Sequence, residues 1–428
     1  MKRNNKTRRL SFFKWFYPGI NIKRWILLFI LGTLLITTGL SGIITVRSST
    51  VVFPSSRTFL LVAYSLDIII GLWLIIQALK KIMRTIISLF LPQKEEQFID
   101  IVYQKKQLAK GPKIVTIGGG TGLSALLHGL KEFTEHTSAI VTVADSGGSS
   151  GRLMKQFDIL PPGDIRNCLV ALADAEPLMS QLFQFRFDQD SEFSGHSFGN
   201  LFITVMTKIT GDFEKAIKES SKVLAIRGRV IPSTLSKVTL VAKHIDGSQT
   251  EGEANIPESG VPIKYVFLSP SETSATPEAI AAIKDADIII LGPGSLYTSI
   301  IPNLLIREIT EAIVNSRARK FYVCNIMTQK GETENFTASD HLRVIIAHSH
   351  PRIVEYCIVN SGSIPDELAK RYQSENSTTV LADVDKIRSL GYKVIVDNFV
   401  NINQVVRHNS LKLARKIIQV YNSTRRKF

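Results

Sequence analysis

What the chain has little of narrows it first. Cysteine is scarce: Cys168, Cys324 and Cys357 are the three, far apart and without a C-x-x-C pair. That argues against a disulfide framework and a thiolate metal site, and suits three structural thiols in a reducing compartment. Acidic side chains are almost missing from the first 91 residues, where Asp67 stands alone against thirteen Lys or Arg. Of the chain's 52 Lys or Arg and 37 acids, this leaves 39 and 36 for the rest. The formal charge of +15 therefore belongs to the amino-terminal segment. The body lacks the basic footprint of a nucleic-acid binder. No low-complexity tract and no repeat of fixed period is present. With 44% apolar and 21% charged residues, disordered and fibrous classes are excluded. A length of 428 residues calls for two or three units.

Two long apolar runs come next. Trp25–Val46 is uncharged, and Phe59–Leu79 is interrupted only by Asp67. Each makes a helix of roughly 30 Å, the thickness of a bilayer's hydrocarbon. A signal peptide has an apolar stretch of only about 7–15 residues behind a short basic head. Here a 24-residue head precedes the first run and a second full-length run follows. Two transmembrane helices are expected, 25–46 and 59–79, after a basic head, 1–24.

Lys2, Arg3, Lys6, Arg8, Arg9, Lys14, Lys23 and Arg24 lie before the first run, and Lys80, Lys81 and Arg84 after the second. Only Arg47 and Arg57 lie between. The positive-inside rule places both ends in the cytoplasm. Trp15, Phe16, Tyr17 and Trp25 fit an interfacial aromatic belt. Asp67 is expected to face the partner helix or another chain, because a carboxylate facing lipid costs about 2.5–3.5 kcal/mol on insertion scales. A linker, 80–110, follows; its part from Ile82 to Leu91 could lie on the membrane, closed by Pro92, before a charged, helix-prone stretch.

From residue 111 the pattern is strand, glycine loop, helix. Strands are expected at Lys113–Ile117, Ala139–Ala144, Asp287–Leu291, Phe321–Asn325, Ile353–Val359 and Val394–Asp397. Helices are expected near Leu123–Phe133, Arg166–Ala173, Leu178–Phe185, Leu201–Ile209, Asp212–Leu224, Pro277–Lys284, Leu304–Arg317, Ala338–His348 and Leu411–Tyr421. Such alternation indicates an α/β fold with a doubly wound, mostly parallel sheet. Val238–His244 and Glu251–Glu253, around the turn Asp246–Gly247–Ser248, suggest a small inserted β/α subdomain.

Three glycine loops carry the chemistry. Gly118, Gly119, Gly120, Thr121 and Gly122 lie between a strand and a helix, where small residues let backbone N–H groups approach an anion. Neither the dinucleotide fingerprint nor a P-loop matches: Leu123 stands where the first needs glycine, and no Lys-Ser/Thr follows. The second loop is Asp145, Ser146, Gly147, Gly148 and Ser149. Its carboxylate, read at a strand's carboxyl end, suits a ribose hydroxyl. Beyond it, Asp164 could hold a divalent metal and Arg166 a phosphate, although Pro161–Asp164 also reads as a turn and helix cap. His196 and Asn200 sit on a further loop. The third glycine loop is Gly292, Pro293, Gly294 and Ser295. A turn explains any one of these loops, but by the switch-point rule all of them would converge on one crevice.

GGGTGL, DSGGSSGRL, PPGDIRNCLVALA, GHSFGNLFI and GPGSLYTSIIPNLL, in this order, resemble the gluconeogenesis factor (YvcK-like) proteins, relatives of the 2-phospho-L-lactate transferase (CofD-like) enzymes. The resemblance covers about residues 113–424. It implies a Rossmann-like domain, 111–428, that binds a nucleotide-linked ligand. In the YvcK-like branch this is a uridine diphosphate sugar such as UDP-N-acetylglucosamine, tied to gluconeogenic growth, cell envelope and cell shape. In the CofD-like branch a phospholactyl group passes from a guanosine diphosphate adduct to a deazaflavin, with magnesium. Carried over, the residues of the loops above form the ligand site, with Asp145, Asp164, His196 and Asn200 as catalytic candidates. Asn409 stands where the family's aspartate is expected. A homo-oligomer is an open expectation, and no nucleic-acid partner is expected.

Overall fold

The computed structural model describes residues 22–48, 54–90, 98–174, 177–188, 193–402 and 405–425. The chain forms two compact units, Met1–Lys105 and Lys106–Phe428. Most of the basic head, its aromatic residues Trp15, Phe16 and Tyr17, and Pro92 lie outside the described residues.

In the first unit, helices α1 (Lys23–Ser48) and α2 (Pro54–Phe90) pack against each other. Lys23–Ser48 and Arg57–Thr85 are long and apolar enough to cross a membrane. Leu27, Leu34, Ile44, Phe59, Ile69 and Trp73 are exposed, so the apolar surface points outward and is not a buried core. Glycine sets the contact. A Cβ on Gly32 would lie 2.7 Å from the Gly71 carbonyl oxygen, and one on Gly71 2.6 Å from that of Gly32. Small residues at such crossings let backbones approach closely. Asp67 faces the other helix, its Cβ 3.4 Å from the position a Cβ on Gly39 would take. The segment from Ile82, which could lie on the membrane, is helical through Phe90 as a direct continuation of α2. It holds neither Gly nor Pro, so nothing breaks the helix.

The second unit begins within helix α3 (Phe98–Leu108). Its main sheet has seven strands: β1 (Ile114–Gly118), β2 (Thr137–Val141), β3 (Arg229–Pro232), β7 (Ile288–Leu291), β8 (Arg319–Val323), β9 (Tyr356–Asn360) and β10 (Lys393–Asp397). Their order is β10-β9-β8-β7-β1-β2-β3, and every neighbouring pair is parallel. The central strands β1, β2 and β7 are buried at every residue, as a sheet covered on both faces requires. Alternation along β7 divides the core. Ile289 and Leu291 pack with the helices α10 (Pro277–Lys284), α12 (Arg307–Asn315) and α13 (Ala338–Ala347). Ile288 and Ile290 pack against Leu126 and Leu130 of α4 (Gly120–Leu130) and Leu413 and Ile417 of α16 (Ser410–Arg425).

Between these elements run α5 (Gly148–Phe157), α6 (Gly163–Leu172), α7 (Pro177–Gln184), α8 (Phe198–Thr210), α9 (Phe213–Val223), α11 (Ile301–Leu304), α14 (Asp366–Ser374) and α15 (Val384–Ser389). The inserted piece is a three-stranded antiparallel sheet, β4 (Thr239–His244) between β5 (Gln249–Glu251) and β6 (Ile263–Ser269). A two-stranded ribbon, β11 (Val400–Ile402) with β12 (Val406–His408), precedes α16.

Several expectations need correction. Strand β2 ends at Val141, so Asp145 is four residues beyond it and not at its end. Helix α4 starts at Gly120 inside the glycine loop, because the loop's backbone is already helical from Thr121 despite poor propensity. The stretch from Gly148 is helix α5, not loop; its serines and glycines favour turns and hide it. Strand β3 carries no signal in the sequence, being four residues long and ending in proline. Proline is tolerated there because β3 is the sheet's edge.

Candidate functional site

The strand order reverses between β1 and β7, and chains leaving these two strands part to opposite faces of the sheet. A crevice forms at such a switch point beyond the carboxyl ends. The loops after β1 and β7 meet there: a Cβ on Gly122 would stand 2.8 Å from the Pro293 carbonyl oxygen, and one on Gly294 3.2 Å from that of Gly119. Gly120 has φ +67°, a left-handed conformation that glycine alone adopts freely. Asn325 grips Gly294 from both sides, accepting from its N–H at 3.2 Å and donating to its carbonyl at 2.8 Å. Gln329 Nε2 donates to Ser295 Oγ at 2.7 Å, and Asn303 Nδ2 donates to the Gly118 carbonyl at 3.3 Å. These loops wall a cavity of about 580 Å³, with Thr121, Gly122, Gly294, Ser295, Tyr372 and His408 among its lining. Burial lowers the His408 imidazole to about 4, so it is neutral. A larger cavity, about 890 Å³, lies between α10 and α12 and has none of this chemistry.

Helices α4, α5 and α6 begin at this end of the sheet, at the caps Gly119, Gly147 and Pro162. None of these caps places a side chain on the first-turn amides. Side-chain caps occur at Ser197 of α8, at Asp212 of α9 and as a Thr337–Asp340 capping box at α13, and are missing also from α10, α11, α12, α14 and α15. With the Gly120 N–H taken up by Asp164, the remaining first-turn N–H groups and the positive dipole ends can face an anion.

The second loop and α6 close the crevice. Gly147 N–H donates to Asp145 Oδ1 at 2.9 Å, and a Cβ on Gly163 would lie 3.0 Å from Asp145 Oδ2. A Cβ on Gly119 would collide with Asp164 Oδ2, which joins the first loop to the start of α6. Burial, and then Asp145 nearby, raise the Asp164 carboxyl to about 6, against the opposing pull of the Gly120 N–H and Arg166. From the inserted sheet comes Glu253, hydrogen-bonded to Asp145. Burial and its acidic neighbours raise it well above the usual carboxylate range, so it is a proton donor at neutral pH. Ser146 faces the same insertion, its Oγ accepting from Ala254 N–H at 3.4 Å.

Ser149, His196 and Asn200 form one buried group. Ser149 Oγ lies 2.9 Å from His196 Nδ1, and Asn200 Nδ2 donates to it at 3.0 Å. Burial, followed by Arg152, lowers the imidazole's affinity for a proton. Arg166 is 7% exposed and its Nη2 donates to Asn167 Oδ1 at 2.6 Å.

The structure thus brings together Gly119, Gly120, Gly122, Asp164, Pro293 and Gly294 by direct approach. Asp145 and Gly147 adjoin them, and so does the Ser149–His196–Asn200 group. Asn409 is elsewhere: its Oδ1 accepts from Lys412 N–H at 3.0 Å, capping the start of α16. The sequence reading missed Glu253, Asn325, Gln329, Arg186 and Glu332. Glu332 is buried, accepts from Thr298 Oγ1 at 3.0 Å and is raised to about 7, chiefly by burial. Among the described residues no three His, Cys, Asp or Glu side chains are arranged to hold a metal ion. The Asp145–Asp164 pair would fit magnesium only where phosphate oxygens complete the shell, which is how that ion is commonly bound.

Residues 114–400 match the family described as 2-phospho-L-lactate transferase CofD. A gluconeogenesis factor of Bacillus subtilis is 48% identical over 314 residues, covering 73% of this chain and 99% of its own. The chain belongs to the gluconeogenesis factor (YvcK-like) branch of the CofD family. A relative from Nostoc sp. strain PCC 7120, provisionally described as a gluconeogenesis factor, is 44% identical over 432 residues. That match covers 98% of this chain and 95% of the relative, so it includes the amino-terminal unit. A crystal structure of a UPF0052 family member from Bacillus halodurans superposes with a TM-score of 0.70 at 49% identity. It covers 72% of this chain and 99% of that one. The seven-stranded parallel sheet is therefore the family's fold.

Proposed function

We propose that the protein is a membrane-anchored regulator that binds a nucleotide sugar of the UDP-N-acetylglucosamine type on the cytoplasmic side of the bacterial plasma membrane. Through that ligand it links carbon metabolism to the cell envelope and cell shape. One observation carries the reading: two glycine loops in mutual contact at the switch point, with the uncapped start of α4, wall a cavity of about 580 Å³. That volume is within the usual range for small-molecule sites. Amides of Gly119, Thr121 and Gly122, and of Gly148 and Ser149, hold the diphosphate, the cavity takes the nucleoside, and Asp145 and Asp164 accept hydroxyls. The names of the relatives support the metabolic part, and the two apolar helices with their flanking positive charges support the anchor.

Isothermal titration of the full chain in detergent micelles tests the ligand. UDP-N-acetylglucosamine is expected to bind, and no heat at millimolar ligand removes the reading. Protease added to intact spheroplasts tests the orientation: the second unit is expected to be protected until the membrane is opened.

A transferase of phospholactyl type is the second reading. Its favouring observation is the Asp145–Asp164–Glu253 acid group beside the amide cradle, where magnesium and a diphosphate could meet. Mass spectrometry after incubation with magnesium, the guanosine adduct and the deazaflavin alcohol separates the two.

A further inference from the structure

Arg24 and Lys81, one on each helix of the first unit, meet at a single ring. The Arg24 guanidinium lies 5.0 Å and the Lys81 ammonium 5.6 Å from the centroid of Trp25. Gly32 faces Gly71 and Gly39 faces Ile68, so α1 and α2 run antiparallel and the start of one adjoins the end of the other. Ile22, three residues before Trp25, and Ala78, three before Lys81, are 3% and 0% exposed, so the pair is closed at this end.

The cations there have no counter-ion. Lys23, Arg24, Lys80 and Lys81 form no salt bridge among the described residues. Asp67 is the only acid before Glu95, and about 21 Å of helix separates it from Lys81. At the opposite end of the pair a cation is spent on the backbone: Arg57 Nη2 donates to the Arg47 carbonyl at 3.1 Å. Arg24 and Lys81 have only the negative face of the indole, which attracts each of them but leaves their mutual repulsion in place.

What lies next to the cations selects the occupant. Leu27 and Leu79 are 69% and 48% exposed, and Leu31 and Ile76 continue the apolar surface one turn further. The group that fits is anionic at the cations and apolar beyond them, which is the build of a phospholipid with a net negative headgroup. Free phosphate answers the cations alone. Basic pockets between transmembrane helices receive such headgroups.

We propose that Arg24, Trp25 and Lys81 form a headgroup site for one anionic phospholipid. Its phosphodiester lies between the guanidinium and the ammonium, and its acyl chains run along Leu27 and Leu79. The lipid ties α1 to α2 at the end opposite their connecting loop. The site rests on the membrane-anchor reading. It differs from a diffuse attraction of basic ends to anionic lipid, which would not depend on which lysine is lost.

Native mass spectrometry of the full chain, released from detergent micelles holding equal amounts of phosphatidylglycerol and phosphatidylcholine, reads the site. The wild type is expected to retain one phosphatidylglycerol and at least fivefold less phosphatidylcholine. Arg24→Gln and Lys81→Gln are each expected to lower that retention at least fivefold, and Lys81→Arg to keep most of it. Lys23→Gln, which removes the same charge without touching the ring, is expected to lower it less than twofold. Equal losses in Lys23→Gln and Lys81→Gln, or equal retention of the two lipids, overturn the site. Displacement by inorganic phosphate at the lipid's own concentration overturns the lipid assignment. Should Lys81→Gln open the helix pair to protease, the solvent-exposed Arg24→Gln decides alone. Extraction of the wild type by alkaline carbonate from vesicles of either lipid overturns the anchor reading and the site with it; an inserted chain without the lipid preference overturns the site alone.

Discussion

Gly119 and Asp164 approach so closely that a single methyl on the glycine would lie 2.4 Å from the carboxylate's Oδ2. The β1 loop and the start of α6 are therefore fitted to each other with no allowance for a side chain. Gly119→Ala must push Asp164 off the Gly120 amide. It is expected to weaken nucleotide binding at least tenfold and to cost about 1–3 kcal/mol of stability, as overpacking does. Titration calorimetry and urea unfolding check the two effects.

Asp164 also sets a pH dependence. Its carboxyl is raised from 3.8 to about 6, so the native state binds the proton more tightly than the unfolded chain. Stability from this group is greatest below pH 4 and falls as pH rises toward 6, by about 3 kcal/mol. Asp164→Asn should therefore raise the melting temperature at pH 7.5 and leave it nearly unchanged at pH 4. Equal effects at both pH values would contradict the assignment.

Ser149 joins His196 to Asn200, and both partners are buried. Ser149→Ala leaves His196 Nδ1 and Asn200 Nδ2 without their shared partner, at a cost of about 1–3 kcal/mol. Because α5 is anchored through this serine, its first-turn amides should also lose order. Hydrogen exchange at residues 148–152 is expected to speed up in the variant.

In the first unit, Gly32→Leu or Gly71→Leu would force a side chain into the facing carbonyl, 2.7 or 2.6 Å from Cβ. Either change is expected to open the helix pair and expose it to protease in micelles. Leu27→Ile, on the outward surface, should leave digestion unchanged.

Much of this fold is legible in sequence because the central strands are apolar on both faces. Ile288–Leu291 can only be a buried strand, and the loop after it follows from Gly292 and Gly294. What the sequence conceals is of two kinds. Helix α5 is hidden because Gly148, Ser149, Ser150 and Gly151 have turn chemistry, while the fold anchors it through Ser149, which meets His196 and Asn200 from far along the chain. Glu253 is hidden because its importance arises from distance in the chain. It follows β5 in the inserted sheet, more than a hundred residues after the aspartate it touches, and no local pattern marks that meeting. Arg186 likewise reads as a surface cation until the fold sets it beside Arg166.

The hydroxyl of Ser149 has one hydrogen, and Asn200 already donates to its oxygen. Its oxygen also lies against the inner nitrogen of His196, which is engaged whichever of the two carries the hydrogen. Only Nε2 of that ring is then left to meet a ligand, and burial keeps the ring from holding a second proton readily. His196 thus presents a single working nitrogen to the crevice, and the serine and asparagine behind it set the angle at which that nitrogen arrives.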